Sequence, residues 1–256
     1  MSDLTINEGN EPEIMSDEDI AKCKALADRW RDECTVCNHS GYLEGGKDCI
    51  CTKKSKRKYR LMCSNIPKHY YGVSFDDFRA KNDVGFKKVL SYVENLDNAR
   101  KKGIGLHLYS KTPGTGKTLL GICVLLAAIK KGHSVWFTSL EQLSEDIKAG
   151  FTDHKKAALM NWVMFSTKFL MLDEISKVQN TAWKDSRVND LIQRRVNDGL
   201  SIISTDNLGI DQLSTKFPEH LVSRFAGTQI EISLSSKLDF RKEVKRKNLE
   251  KLLKEK

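Results

Sequence analysis

The sequence predicts an α/β fold in which a parallel sheet is flanked by helices, and two observations predict it. Apolar segments of strand length alternate along the chain with segments of helical length, the pattern of repeated strand–helix–strand units. Two of the apolar segments also end in acidic or amide side chains, as central parallel strands do at a binding edge. At 256 residues the chain can bury one sizeable core and carry one smaller appendage.

Four strands and one long helix can be placed in the central part of the chain. Their apolar and β-prone residues run with little interruption, as in buried strands. The predicted strands are IGLHLYS (104–110), SVWFTS (134–139), KFLMLDEI (168–175) and LSIISTDN (200–207). The apolar segment KTLLGICVLLAAIKKG, from residue 117 to the glycine at 132, predicts a helix that closely follows the first strand.

A glycine-rich loop joins the first strand to this helix, in YSKTPGTGKTLLG (109–121), and the strand–loop–helix context predicts a phosphate-binding loop. Backbone N–H groups at the helix start would hold the β- and γ-phosphates, Lys117 would pair with them, and Thr118 would ligate Mg²⁺. Lys111 replaces the first glycine of the usual pattern, and we expect its side chain at the outer shoulder of the loop, in solvent. The predicted nucleotide-binding residues here are Pro113, Gly114, Thr115, Gly116, Lys117, Thr118 and Leu119.

An acid pair ends one of the predicted strands. Asp173 and Glu174 follow the phosphate loop by about 55 residues, a separation at which they complete such a loop. Asp173 would hold Mg²⁺ through water, and Glu174 would orient or deprotonate the attacking water. Asn207, at the tip of another strand, could hold that water. These three residues and Lys117 are the catalytic candidates that the residue pattern supplies.

The charge distribution says more about partners than the net charge of +9. Residues 1–20 contain seven acids and no Lys or Arg, which predicts a flexible acidic tail over 1–16 and is unlike a signal or transit peptide. Residues 52–68 contain seven basic residues and no acid, and 241–256 form a second basic run, so contact with nucleic-acid phosphates is favoured. A solvated helix face would explain the second run equally well. No apolar run reaches the roughly 20 residues that span a bilayer, and we expect a cytoplasmic protein.

Four of the seven cysteines form a cluster in CTVCNHSGYLEGGKDCIC. The first pair is separated by two residues, the second by one, and eleven residues lie between the pairs. This spacing predicts a structural zinc site, and a cytosolic location argues against disulfides. The predicted ligands are Cys34, Cys37, Cys49 and Cys51, with His39 and Cys63 as possible replacements.

A helix is predicted from Ser16 to about Glu33, because Ile20, Cys23, Leu26 and Trp30 recur at helical spacing. Its apolar stripe must be buried, either against the cysteine module or against a partner protein. The sequence leaves both open. Cys123, in the apolar helix, is expected in the core.

The combination of PGTGKT, LMLDEI, IISTDN and LVSRF resembles the AAA+ ATPases of the DnaC/DnaI helicase-loader and IstB group. The front half is also similar, with a four-cysteine module, a basic segment and the linker NIPKHYYGVSFDDF. The resemblance covers residues 34–241 and is closest to phage-encoded DnaC-like loaders, in which a non-glycine first position of the loop occurs. It implies an AAA+ P-loop NTPase fold with a small N-terminal zinc-binding module and a short C-terminal helical element. The expected division is a tail over 1–16, the helix and zinc module over 17–66, and the ATPase domain over 67–256.

The resemblance also implies roles for three arginines. Arg224 in LVSRF matches the arginine finger, which reaches the γ-phosphate bound by a neighbouring subunit. Arg241 in KLDFR matches the second-sensor arginine that contacts nucleotide, although Ser235 and Ser236 replace the glycine expected before it. Arg195 matches a helix arginine whose role is either at an interface or structural.

The implied function is ATP-dependent loading of a DnaB-type replicative helicase onto single-stranded DNA, by a homo-oligomer that uses ATP, Mg²⁺ and Zn²⁺. Two alternatives stay open. One is an IstB-like ATPase that assists a transposase. The other is an adaptor that captures or inhibits the host helicase without hydrolysing ATP.

Overall fold

The computed structural model of this chain describes residues 17–177, 182–235 and 239–240. The acidic tail, Ser16, Arg241 and the basic run 241–256 lie outside the described residues. Within the described part, no helix combines the length and apolar character needed to cross a membrane.

Five parallel strands form one sheet in the order β2-β3-β4-β1-β5. The strands are β1 (Gly105–Tyr109), β2 (Val135–Ser139), β3 (Phe169–Asp173), β4 (Ser201–Asp206) and β5 (Gln229–Ser233). The predicted parallel sheet is confirmed. The strand β5 was not predicted from the sequence. It lies at the edge of the sheet, with Ile232 buried and Ile230 exposed.

Helices cover both faces of this sheet. The helices of the described residues are α1 (Asp17–Asp32), α2 (Ile50–Met62), α3 (Val84–Glu94), α4 (Leu96–Lys101), α5 (Lys117–Lys130), α6 (Leu140–Ala149), α7 (His154–Phe165), α8 (Ala182–Asn197) and α9 (Glu219–Ala226). Alternate side chains of a strand point to opposite faces. Phe169 and Met171 of β3 therefore pack into the core shared with α3 and α5, and Leu170 and Leu172 into the core shared with α6 to α9. This two-sided burial explains why β3 is apolar at nearly every position.

The helix that begins the described chain packs on the cysteine module. In the contact between α1 and α2, the Cys23 thiol lies 3.0 Å from the Met62 sulfur. The Lys54 ammonium lies 4.4 Å from the ring centre of Trp30. Of the two alternatives for the apolar stripe of α1, the described contact is therefore with the module itself. Cys123 is buried in α5, as expected.

The segment after α2 joins the module to the outer edge of the sheet. The amide of Phe137 in β2 donates to the carbonyl of Ser64 at 2.9 Å, and the side-chain amide of Asn65 donates to the carbonyl of Phe137 at 2.8 Å. Because β2 is an edge strand, this pairing covers backbone groups that would otherwise be exposed. Further along the linker, Phe78 is 1% exposed and stacks on Phe86 of α3 with ring centres 4.9 Å apart.

Candidate nucleotide site and cysteine centre

Two glycines shape the predicted phosphate loop between β1 and α5. Gly114 has φ of 71° and Gly116 has φ of 92°, a left-handed backbone that glycine adopts without strain. A methyl group on Gly116 would lie 2.9 Å from the ring of Phe78, and one on Gly114 would overlap the carboxylate of Asp239. Both positions therefore favour glycine by conformation, and Gly116 does so by space as well, because the ring of Phe78 is buried. Lys111 is exposed, as the sequence analysis expected.

Lys117, the first residue of α5, is only 8% exposed. Its ammonium donates to the side-chain carbonyl of Asn207 at 2.9 Å and to the backbone carbonyl of Ser110 at 3.4 Å. The structure therefore places the predicted loop lysine on the predicted Asn at the tip of β4. The sequence predicted both residues but not their contact.

Thr118 and Asp173, the two predicted magnesium residues, also meet. The Thr118 hydroxyl donates to the Asp173 carboxylate at 2.9 Å, and the Thr205 hydroxyl donates to the same oxygen. Burial raises the pKa of Asp173, and these two hydrogen bonds offset part of that rise. A hydroxyl and a carboxylate are oxygen ligands of the kind Mg²⁺ takes, and the cation would favour the charged carboxylate. An open groove of about 590 Å³ borders Asp173 on the β2 side, so this point is accessible.

Glu174 follows Asp173 in a strained conformation. Its φ of 54° is rare for a residue with a side chain, and such strain occurs at functional sites where the surroundings hold it. The Glu174 amide donates to the Thr205 hydroxyl oxygen at 3.1 Å, and its carboxylate pairs with the Lys177 ammonium at 2.7 Å. The backbone of Glu174 is therefore tied to β4, while its carboxylate, 40% exposed, lies in a solvent-accessible ion pair.

The four predicted zinc ligands form a compact group. The sulfurs of Cys34, Cys37, Cys49 and Cys51 all lie within 4.8 Å of one another, and the four residues are buried. The Cys34–Cys49 and Cys37–Cys51 sulfurs are 3.7 and 3.6 Å apart. Four sulfurs placed tetrahedrally ~2.3 Å from a zinc ion have edges of ~3.8 Å, so these two separations match a tetrahedral zinc site. His39 and Cys63 are not part of this group.

The thiols of the cysteine group differ in pKa. Burial and hydrogen bonds to the neighbouring thiols raise the pKa of Cys51 to about 12, the pKa of Cys49 is also raised, and only Cys37 shifts the other way among these three. Burial acts to raise the pKa of Cys37, but the Gly41 amide, which donates to its sulfur at 3.3 Å, and the neighbouring thiols lower it to about 7. A lowered thiol pKa makes the metal-binding form more available.

Comparison with known proteins identifies the family. A family model described as IstB-like ATP binding protein matches residues 50–224, more than half of the chain. The chain belongs to the IstB-like ATP-binding proteins.

Curated relatives of this IstB-like protein include a helicase loader and an insertion-sequence protein. The replicative helicase loader DnaC of Buchnera aphidicola subsp. Schizaphis graminum is 24% identical over 215 residues, which cover 83% of this chain and 82% of that protein. The insertion sequence IS21 putative ATP-binding protein of Pseudomonas aeruginosa is 27% identical over 134 residues, which cover 52% of this chain and 47% of that protein.

Solved structures share the fold. The DnaC helicase loader superposes with a TM-score of 0.59 at 22% identity and covers 66% of this chain and 100% of its own. DnaI superposes with a TM-score of 0.59 at 20% identity and covers 67% of this chain and 96% of its own. AMPPCP-bound DnaA from Aquifex aeolicus superposes with a TM-score of 0.53 at 20% identity and covers 66% of this chain and 51% of its own. Together with the family match, these likenesses confirm the resemblance to the DnaC/DnaI/IstB group and the AAA+ P-loop fold.

The arginines of this IstB-like protein lie in contrasting surroundings. Arg224 is exposed on α9, and it stays a predicted arginine finger. Arg195 is fully buried on α8, and its guanidinium donates to the backbone carbonyls of Val163, Met164, Thr167 and Ser201 at 2.9–3.3 Å. Of the two roles left open for Arg195, these contacts support the structural one. Arg241 lies outside the described residues.

Two residues at the site were missed by the sequence analysis. Thr205 bonds both residues of the acid pair, and Asp206, 1% exposed, bonds the turn that follows them. Their only signal in the sequence is that IISTDN turns from apolar to polar at its end.

Proposed function

We propose that this IstB-like protein is an ATPase that loads a DnaB-type replicative helicase onto single-stranded DNA, in the cytoplasm, during bacterial or phage replication. The observation that carries the proposal is the meeting of the Lys117–Asn207 and Thr118–Asp173 pairs beneath a loop with two left-handed glycines. The similarity to a helicase loader over 83% of the chain supports the loading role.

ATP would bind with its β- and γ-phosphates against the loop amides at the start of α5. Lys117 would contact these phosphates while Asn207 keeps the ammonium aligned. Mg²⁺, held by Thr118 and through water by Asp173, would neutralise the charge that develops on the phosphates.

Hydrolysis needs a base, and Glu174 is the candidate. Its carboxylate would turn from Lys177 toward the water. Because this ion pair is exposed to solvent, breaking it costs little free energy. Arg224 of a neighbouring copy would reach the γ-phosphate, so that the nucleotide bridges two subunits and hydrolysis weakens their interface. We therefore expect a homo-oligomer that assembles through the ATPase domain with ATP bound.

The cysteine module would hold the helicase, and basic surfaces would hold DNA. Lys53 and Arg57 are exposed on α2, in the basic segment that the sequence analysis singled out.

A second candidate function, assistance to a transposase, is favoured by the similarity to the IS21 ATP-binding protein over 52% of the chain. Paired pull-downs distinguish the two. The full-length protein is incubated with ATP and either the replicative helicase or an IS21-type transposase of the same host. Retention of the helicase followed by its deposition on single-stranded DNA supports loading, whereas retention of the transposase alone contradicts it.

ATP turnover with and without single-stranded DNA separates a loader from an adaptor that binds nucleotide without hydrolysing it. The loader should turn ATP over. No turnover in the presence of both DNA and helicase would identify the adaptor.

A further inference from the structure

A buried carboxylate behind the nucleotide site has no part in the chemistry described so far. Asp206 ends β4 and is 1% exposed. Its side chain accepts from the amide and the hydroxyl of Ser176 at 2.6 and 2.8 Å. It also accepts from the amides of Asn207 and Leu208 at 2.7 and 2.9 Å. One carboxylate therefore joins the turn after β3 to the turn after β4.

These two turns carry Glu174 and Asn207. The strained backbone of Glu174 relaxes unless its surroundings hold it. Thr205 holds the Glu174 amide from one side, and Asp206 holds Ser176, two residues further along. Hydrogen bonds to a buried charged acceptor are shorter and stronger than neutral ones, so Asp206 is the stronger of the two anchors.

We infer that Asp206 is a positioning residue for ATP hydrolysis, which sets the separation of Glu174 from Asn207. The inference rests on the proposed ATPase activity. Asp206 acts on the turns that would place the base and the attacking water. The phosphate loop is shaped by its own glycines, and the turn of Asn207, which aligns Lys117, has a second anchor in the bond from His107 to Leu208. Loss of Asp206 should therefore reduce kcat and leave nucleotide affinity unchanged.

Asparagine is the informative replacement. Its amide has the shape of the carboxylate but only one acceptor oxygen, and its NH₂ group cannot accept from an N–H. Three of the four hydrogen bonds go to Oδ1, so the amide oxygen is expected in that place, where it keeps the bonds from Asn207, Leu208 and the Ser176 hydroxyl and loses the bond from the Ser176 amide. The Asn207 turn keeps a second anchor, because the ring nitrogen Nε2 of buried His107 bonds the Leu208 carbonyl at 2.9 Å. The Asp206→Asn substitution therefore weakens mainly the turn that carries Glu174.

The experiment compares the full-length wild type, Asp206→Asn and the matched control Asp211→Asn. Asp211 is an exposed acid a few residues further along, so the control makes the same charge change without the buried contacts. Affinity for a fluorescent ATP analogue and kcat are measured with DNA and helicase present. We expect kcat of Asp206→Asn to fall by about 10–100-fold, as for a slightly misplaced catalytic group, with the affinity unchanged. The control should match the wild type.

Ser176→Ala provides a second variant in case Asp206→Asn does not fold. It removes one of the four hydrogen bonds and should lower kcat less. The double variant loses both hydrogen bonds between Ser176 and residue 206, so it should be slower than Asp206→Asn. An unchanged kcat in Ser176→Ala and Asp206→Asn, or a parallel loss of affinity and turnover, would overturn the inference. A wild type without turnover would overturn the ATPase proposal as well, whereas turnover unaffected by Asp206→Asn overturns this inference alone.

Discussion

Replacing Arg195 by methionine should destabilise the protein strongly while leaving the nucleotide site intact. The guanidinium joins α8 to the end of α7, to the turn before β3 and to the start of β4 through four backbone carbonyls. A hydrogen bond from a charged donor contributes about 1.5–3 kcal/mol to the free energy of unfolding. The four bonds of Arg195 could therefore contribute at most about 6–12 kcal/mol. Burial of the guanidinium, which lowers the pKa of Arg195 to about 9, offsets part of this. We expect the free energy of unfolding to fall by about 3–5 kcal/mol, because methionine leaves the carbonyls buried without a donor.

Urea unfolding followed by circular dichroism measures this effect, and the neighbouring arginine is the matched control. Arg194 is 63% exposed on the same helix and stacks over Phe165 at 4.3 Å. Arg194→Met should cost less than about 1 kcal/mol, as exposed ion pairs and cation–π contacts do. If the two variants lost equally little stability, the structural role argued for Arg195 would be refuted. A normal stability combined with failed assembly would instead identify Arg195 as an interface residue.

Four further predictions concern the site and the module. Lys117→Ala should abolish ATP binding in a fluorescence titration while exposed Lys111→Ala retains it; unchanged affinity in Lys117→Ala would refute the loop assignment. Glu174→Gln should trap ATP and accumulate oligomers by size-exclusion chromatography, and normal turnover would count against its role as base. A chelator should release about one zinc per chain and accelerate amide hydrogen exchange over residues 34–51. A metal-free protein with unchanged exchange would contradict the predicted zinc centre. Burial lowers the pKa of His107, so the unfolded chain takes up a proton first as pH falls below about 6.5 and stability declines. His107→Gln should lose less stability than the wild type between pH 7 and 5, and an equal loss would contradict this.

The sequence was sufficient for the strands that are buried on both faces. β1 to β4 begin and end close to the predicted limits, because strands covered by helices on both sides are rich in apolar and β-branched residues. β5 was missed because an edge strand needs few apolar residues, and Ile232 is its one buried side chain. Arg195 could not be interpreted in advance, since a charged residue on a helix is ordinarily exposed and only the packing of α7 against α8 supplies its carbonyl partners.

The sequence likewise predicted only part of the candidate site. Motif spacing was enough to nominate Lys117, Thr118 and the acid pair, because each has a recognised chemical role at that spacing. The contacts among them depend on strand order, which the spacing does not contain. β4 lies between β3 and β1 in the sheet, so its tip is adjacent both to the acid pair and to the phosphate loop.

Three consecutive residues at the tip of β4 use this central position differently. Thr205 bonds Asp173 and the backbone of Glu174, Asp206 bonds the turn beyond them, and Asn207 bonds Lys117. Each of these contacts starts from the end of β4, a strand that is buried throughout. The relative positions of base, metal ligand and loop lysine therefore depend on the pairing of β4 with β3 and β1. A one-residue slip of β4 would exchange the faces of all three side chains and break every one of these contacts at once. The geometry proposed for hydrolysis is therefore as stable as the centre of the sheet, and the freedom that the chemistry needs is confined to the exposed carboxylate of Glu174.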